Sequence, residues 1–360
     1  MTRQTYVSID THALLHNLKR VRSLAPGKRV IAMVKANAYG CGLEVVVPVF
    51  DAHVDGFGVA CLEEALVIRA LGGQSDCVLF EGVFSPEEYL QVAAQQFQCV
   101  IHHPIQLEWL LGSALPQPIK LWIKVDTGMH RLGLLPEDMN EVINALKNCP
   151  WVHEDLVVMS HFANADDEGN PANAAQLDCF HALHFSHDRI RKSLANSAAI
   201  ITLPEAHVDF VRPGIMLYGA SPFVGKTAKQ LGLKPVMHFK SMIHAIHHYP
   251  PGTRVGYGGI WQASRPSSIG VVAVGYGDGY PRSVAPNTLV SVQSECVPLV
   301  GRVSMDMLTV DLTDCTKTVS IGDEVELWGD SIPIELVASS AGTIAYELMC
   351  QLTARVYRKL

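Results

Sequence analysis

At 360 residues, with 48% hydrophobic and 18% charged side chains, the chain is long enough to bury a large core and too apolar for a disordered one. Its formal net charge of -7 offers no basic footprint for nucleic acid, no apolar run approaches the ~18 residues of a membrane span, and Met1 to Asp10 is polar with no signal-peptide core, so a cytoplasmic location is expected. The nine cysteines are scattered without a CxxC pair, which favours buried reduced thiols over a zinc site or a disulfide framework.

Tyr6 to Asp10 reads as a short strand, and Asp10 or Thr11 as the cap of a helix running to about Leu24, before Pro26-Gly27 breaks it. Val30 to Val34 is an apolar run of the kind buried on both faces of a parallel sheet. Lys35 stands where that strand stops being able to hide a charge. Ala36-Asn37-Ala38-Tyr39-Gly40 then opens a polar, tightly turning stretch, where α/β enzymes place reacting groups. A lysine there is either a snorkelling cation or a chemical tool, and position alone leaves both open.

After Gly42 an apolar stretch to Val49 suits a helix, and Asp55 to Ala60 reads as a second buried strand. Strand-like segments recur at Cys77 to Phe80, Gln98 to His102, Ile119 to Val125, Leu156 to His161 and Val208 to Leu217, mostly with helix-like patterns between them. The pattern is weakest around Leu194 to Ile200. About eight βα units over the first ~230 residues is the number that closes a (β/α)₈ TIM-like barrel, and an open doubly wound sheet is the alternative. The expected fold class is therefore α/β, with residues 1–230 as the barrel and the first ten free to pack with a second domain.

The texture changes near Leu233-Lys234-Pro235. Residues 231–360 carry β-rich runs at Met237 to His247, Ser268 to Val274, Thr288 to Val292, Leu299 to Val303 and Met307 to Leu312, joined by Gly- and Pro-rich turns, and read as a mainly β domain. Ile332 to Gln351 is more helical, and Pro222 to Lys229 reads as a linker. No internal repeat is visible beyond the βα alternation.

Several polar residues fall at predicted barrel-strand ends: Lys35, Arg131 just past Lys124-Val125-Asp126, His161, Asn196-Ser197, and Arg212 before Pro213-Gly214. With their flanking residues they resemble the alanine racemase family over essentially the whole chain. The carriers are Val34 to Gly40, Lys124 to Gly133 (Lys-Val-Asp-Thr-Gly-Met-His-Arg-Leu-Gly), Val211 to Gly214, Val255 to Gly259, Gly275 to Tyr280 and Gly301 to Asp306. Six ordered motifs are far more specific than any one of them. One departure is visible: the family's first motif usually continues Gly-His-Gly, and this chain has Gly40-Cys41-Gly42, a change that touches local packing rather than a reacting group.

The resemblance implies a pyridoxal-phosphate barrel with a β domain, acting on alanine. Racemisation removes the α-proton and returns it on the opposite face, and pyridoxal phosphate supplies the electron sink that this requires. By resemblance, Lys35 holds the cofactor as a Schiff base and acts as base on one face, and Tyr257 from the β domain is the base on the other. A phenol ordinarily titrates near ~10, so it needs activation, for which His161 and Arg212 are the matching neighbours. Arg212 also matches the donor to the pyridine nitrogen, keeping it unprotonated and discouraging transamination.

The cofactor's phosphate is matched by Tyr39, Ser197, Gly214, Ile215 and Tyr346, with Asn196 beside them, and Arg131 matches the arginine near its phenolic oxygen. Met305 and Asp306 match the substrate-carboxylate contact, and Tyr276, Arg282 and Arg302 the access path. Lys124, placed beside Arg131, matches a lysine that is carbamylated in some family members. The resemblance further implies a homodimer with shared active sites, no metal, and a cytoplasmic role in supplying D-alanine for peptidoglycan or in degrading it.

Singly, each residue has a blander reading: Tyr39, Tyr276 and Tyr346 as half-buried aromatics, His161 as a strand-end structural histidine, Met305 as core filler, Asp306 as a solvated carboxylate. Gly275-Tyr276-Gly277-Asp278-Gly279 lacks the GxGxxG spacing of a dinucleotide loop. His181, His184 and His187 share helical spacing but have no carboxylate or cysteine at ligand spacing, so a solvated face is the preferred reading. The functional rivals are a racemase of serine or lysine on the same fold, and a non-catalytic pyridoxal-phosphate carrier, a class that lacks the second domain.

Overall fold

The computed structural model describes residues 3–185 and 189–359. The chain forms two compact units. One comprises residues 18–38 and 46–217, and the other residues 1–17, 39–45 and 218–360. Residues 218–230, expected with the barrel, thus belong with the β-rich unit, as do residues 39–45.

In chain order the first elements are β1 (Tyr6–Ile9), α1 (Thr11–Leu24), β2 (Arg29–Met33), α2 (Leu43–Phe50), β3 (Gly56–Val59), α3 (Leu62–Ala70), β4 (Asp76–Leu79), α4 (Glu88–Ala94), β5 (Gln98–Ile101), α5 (Pro104–Leu111), β6 (Ile119–Lys124), α6 (Met139–Lys147), β7 (Val152–Met159), α7 (Pro171–His181), β8 (Ile190–Asn196), α8 (Ser197–Thr202) and β9 (Phe210–Arg212). Strands β2 to β9 pair in parallel and close into a barrel, β9 returning to β2 through Phe210 beside Arg29. The sequence explains the closure. Strands covered on both faces need continuous apolar runs, and β3 and β5 are buried along their whole length.

Side chains fill the barrel as layers rather than leaving a pore. Ile31, Val78, Val100, Trp122, Val157, Met159 and Phe210 form one buried cluster. Trp122 packs against Phe80 and Phe210 at ring separations of 5.6 and 5.1 Å, and its indole N–H donates to Gln98 Oε1 at 2.7 Å. Truncating a buried tryptophan of this kind costs roughly 3–5 kcal/mol, so the barrel's interior depends heavily on it. Proline opens α5 and α7, each preceded by a residue whose side chain accepts a backbone N–H: His103 from Ile105 and Asn170 from Ala172.

The βα unit around Leu194 to Ile200, the weakest in the sequence, is present: β8 ends at Asn196, whose Oδ1 accepts the Ala199 amide and starts α8. Two expectations need correction. Val208 to Leu217 pairs as a strand only over Phe210–Arg212, because Pro213 has no N–H to continue the ladder, and Ile215–Tyr218 turns into a 3₁₀ helix. The shared histidine face also fails to form, since α7 ends at His181, His184 lies beyond it, and His187 is outside the described residues.

The second unit holds β10 (Met237–Tyr249), β11 (Arg254–Val255), β12 (Trp261–Gln262), β13 (Ser267–Val272), β14 (Leu289–Val292), β15 (Glu295–Val300), β16 (Leu308–Asp311), β17 (Glu324–Trp328), α9 (Ile334–Ala341), α10 (Ala345–Cys350) and β18 (Tyr357–Lys359). Its main sheet runs β13-β16-β15-β14-β17-β10-β1-β18, and β10 also pairs with β13, closing a ring. The long β10 makes this possible: its first half pairs with β1 and β17 and its second half with β13. The stretch expected as a linker, Pro222 to Lys229, runs into a 3₁₀ turn, Ala228–Leu231, capped by Thr227 and Gln230. No helix among the described residues is long and apolar enough to cross a membrane.

Candidate active site

Chemistry-bearing side chains gather at the C-terminal ends of β2, β6, β7, β8 and β9. The backbone around Lys35 is held tightly: Met33 N–H donates to the Pro213 carbonyl at 3.0 Å, and Val34 N–H to the Gly58 carbonyl at 2.8 Å. Lys35 then begins a left-handed turn in which Ala36, Asn37 and Ala38 have φ of 53°, 53° and 54°, and Tyr39 continues it at 53°. For non-glycine residues this conformation costs roughly 1–2 kcal/mol each, so the surroundings must over-determine it. Part of that restraint is Glu64 on α3, whose Oε1 accepts the Ala36 amide at 2.7 Å and whose Oε2 accepts the Ala60 amide at 2.9 Å. Sequence reasoning missed Glu64, which reads as an ordinary acid in the first turn of a helix.

On β6, Lys124 is only 7% exposed, as strand alternation into the barrel requires. Burial, with the positive charges of Arg131 and Arg212, pulls its pKa down to about 8, against a smaller opposing effect of Asp126. The loop to Arg131 is closed by backbone bonds from Asp126 to Leu134 and from Leu134 to Lys124, of 2.9 and 2.8 Å. Inside it, Asp126 Oδ1 accepts the amides of Gly128, Met129 and His130 at 2.9 to 3.0 Å. Burial raises that carboxyl's pKa, and the amide bonds outweigh burial, leaving it below the usual range.

Arg212, at the end of β9, is buried, yet among the described residues its hydrogen-bond partners include no carboxylate. Its guanidinium donates to Ser193 Oγ at 2.5 Å, to the Ser160 carbonyl at 2.6 Å and to the Leu194 carbonyl at 3.1 Å, with His161 Nδ1 at a longer 3.4 Å. Burial lowers its pKa to about 9, so it remains protonated at neutral pH. His161 lies among cations, and burial together with Arg212, Lys124, Arg131 and Lys35 holds its pKa well below the ordinary value. The imidazole is therefore neutral at pH 7. Because arginine can only donate, Nδ1 is the acceptor and the ring proton sits on Nε2, which makes His161 a donor toward whatever stands beyond it.

A second missed residue supports this pair. Gln176, on α7, is 2% exposed, and its amide acts like an extra peptide group: Nε2 donates to the His161 carbonyl at 3.0 Å and Oε1 accepts the Ala163 amide at 2.9 Å. The Ser160 hydroxyl, which donates to the Val125 carbonyl at 2.9 Å and meets Thr127 at 2.8 Å, joins the loops after β6 and β7. A polar residue on a helix gives no sequence signal for such a role.

Ser197 and Gly214 are also brought together. Ser197 Oγ accepts the Gly214 amide at 2.8 Å and the Met216 amide at 3.4 Å, leaving the hydroxyl proton as the donor for an anion. Asn196 turns its side chain to the helix behind it, capping α8.

Within the second unit, Tyr39 stacks on Tyr218 at 4.7 Å and meets Tyr346 at 6.1 Å. Gly40 has φ of 78°, and a Cβ there would collide with the Met349 carbonyl, so this position admits only glycine. Cys41 beside it is buried, and burial pushes its thiol pKa up. Gly275 packs against the Ser304 and Met305 carbonyls with no room for a side chain, and Tyr276 and Gly277 donate to them at 3.0 and 2.8 Å. Beneath this loop pair lies Asp278, fully buried, which takes a two-pronged bond from Arg3 at 2.5 Å, while Arg355 bonds Asp306 at 2.7 Å. The residues this scaffold presents are open: Tyr257 is 68% and Met305 52% exposed, and Arg282, Arg302 and Asp306 are exposed too.

Residues 9–222 match the alanine racemase N-terminal domain and residues 236–360 the alanine racemase C-terminal domain. The chain belongs to the alanine racemase family. An alanine racemase of Legionella pneumophila (strain Lens) is 54% identical over 359 residues, spanning 100% of both chains. Among solved structures, the biosynthetic alanine racemase of Pseudomonas aeruginosa superposes with a TM-score of 0.94 at 42% identity, and the alanine racemase of Acinetobacter baumannii with 0.93 at 44%, each covering 99% of both chains. The activity is that of the alanine racemase family, pyridoxal-phosphate-dependent interconversion of L- and D-alanine. The residues present fit the cofactor: a lysine amine at the barrel mouth, a hydroxyl ready to donate to phosphate, and an arginine with guanidinium protons left for a pyridine nitrogen.

Proposed function

We propose that this chain racemises alanine with Lys35 as the base on one face of the substrate and Tyr257 as the base on the other, and that Lys35 also binds pyridoxal phosphate covalently. The observation that carries the reading is Arg212, a buried cation that bonds no carboxylate among the described residues, at the same barrel end as Lys35, Ser197 and His161. When bound, the cofactor supplies the electron sink for the substrate's α-carbon. Arg212 would donate to its pyridine nitrogen without protonating it, because a guanidinium holds its proton too strongly to transfer it. Ser197, Gly214, Ile215, Tyr39 and Tyr346 would hold the phosphate, with Asn196 fixing the helix start behind Ser197. Arg131 would lie near the phenolic oxygen.

Tyr257 must lose its proton to act as a base. His161, neutral and carrying its proton on Nε2, is suited to donate to the phenolate and stabilise it, with Arg212 behind it. Met305 and Asp306 would meet the substrate carboxylate, and Tyr276, Arg282 and Arg302 would line the access path. The exposure of Tyr257 and Met305, functional groups left open on the β-rich unit, supports a homodimer in which each site takes Tyr257 from the partner chain. With pyridoxal phosphate present, alanine should be racemised faster than serine or lysine. Faster turnover of either competitor, measured as the appearance of its D-enantiomer, would overturn the alanine assignment.

Lys124 belongs to the same reading. With its pKa lowered to about 8, a larger share of its amine is neutral at mildly alkaline pH than for an ordinary lysine. A neutral amine can add CO₂, forming an N–C bond and releasing a proton, which replaces a cation beside Arg131 with an anion. Intact mass in bicarbonate near pH 8 should show one added CO₂, lost on acidification and absent in Lys124→Met; an unchanged mass at both pH values contradicts it.

A further inference from the structure

We propose that Glu64 is a positioning residue for Lys35, holding the left-handed turn so that the lysine amine reaches the cofactor's aldehyde. The inference rests on the reading of Lys35 given above. Its basis is geometric: one carboxylate takes the amide of Ala36 through one oxygen and that of Ala60 through the other, bridging the chain just past β2 to the chain just past β3. On the other side of Lys35, Val34 N–H is bonded to the Gly58 carbonyl of β3. The backbone is thus pinned immediately before and immediately after Lys35, and these two ties set the direction in which its Cβ leaves the strand.

The turn itself supplies only part of this restraint. Ala38 N–H returns to the Val34 carbonyl at 2.8 Å, but the Ala36 amide, at the start of the turn, is bonded to Glu64 instead. A run of non-glycine residues at positive φ relaxes toward the right-handed side unless something opposes it. The bond from Ala60 resembles ordinary capping of α3, since Glu64 lies in that helix's first turn. The bond from Ala36 does not: it ties a different segment, the one that bears the reacting amine. A capping role and a positioning role therefore make different predictions.

The test uses the full chain stripped of cofactor, as wild type, Glu64→Ala, Glu64→Gln and Lys35→Ala. Two quantities are measured: the rate of covalent uptake of pyridoxal phosphate, from its visible absorbance, and the dissociation constant of pyridoxine 5′-phosphate, which has the ring and phosphate but no aldehyde. Loss of both charge-assisted bonds in Glu64→Ala should slow covalent uptake about tenfold or more while leaving pyridoxine phosphate affinity unchanged. Glu64→Gln, which keeps one acceptor oxygen and the side chain's shape, should fall between. An unchanged uptake rate, or equal losses in uptake and in pyridoxine phosphate affinity, would overturn the proposal, the latter by making Glu64 a general support of the barrel mouth. Lys35→Ala separates the two levels. If it still takes up pyridoxal phosphate covalently, the reading of Lys35 fails and Glu64 with it; if it does not, and the Glu64 variants behave as wild type, only the positioning role fails.

Discussion

Replacing Lys35 with alanine is expected to abolish covalent binding of pyridoxal phosphate and to lower racemisation by about 10⁴-fold or more, since in the proposed mechanism one side chain supplies both the attachment and a base. The fold should survive, because Lys35 is exposed and the amides around it donate to the Gly58 carbonyl and to the Glu64 carboxylate, neither of which involves the lysine side chain. The two readouts should fall together, as visible absorbance and as conversion of L-alanine to D-alanine. Retention of the absorbance at full strength would remove Lys35 from the mechanism.

Much of this was legible in the chain because buried parallel strands must be apolar along their length. The runs at Val30 to Val34 and Gln98 to His102 could hardly serve elsewhere, and each ends on the polar group or turn that the barrel presents. The β7 strand shows where that signal stops: its first half, from Val152, is only half-buried, so the apolar run begins at Leu156 and the strand reads as shorter than it is. The end of β9 misleads for the opposite reason, since Ile215, Met216 and Leu217 are buried and apolar like a strand yet turn as a 3₁₀ helix.

The supporting residues were illegible on physical grounds. A left-handed turn built from Ala36, Asn37, Ala38 and Tyr39 contradicts local propensity, and only tertiary bonds hold it. Glu64 and Gln176 act through backbone groups distant in sequence, which no periodicity reports. Asp278 sits in a glycine-rich motif, while its partner Arg3 lies 275 residues away. Strain and buried polar bonds of this sort concentrate where function overrides local preference.

The largest effect beyond Lys35 concerns how each site is assembled. Lys35 belongs to the barrel unit and Tyr257 to the β-rich unit, and the proposed dimer draws the two bases of each site from different chains. Tyr257→Phe alone should cost about 10²- to 10⁴-fold, the usual range for losing a positioned acid or base. Combining the two defects in one dimer should restore activity. In a heterodimer of Lys35→Ala and Tyr257→Phe chains, shared assembly places both defects in one site and leaves the other site whole.

Random co-assembly makes half of the dimers heterodimers, each with one intact site of two, so the mixture should recover about a quarter of wild-type activity. The decisive measurement is therefore the racemase activity of the co-expressed pair, with heterodimers isolated by two different affinity tags. Recovery near half of wild type in the isolated heterodimer is the predicted result. Activity no higher than that of the parent variants would contradict a site in which Lys35 and the partner's Tyr257 work on opposite faces of one substrate.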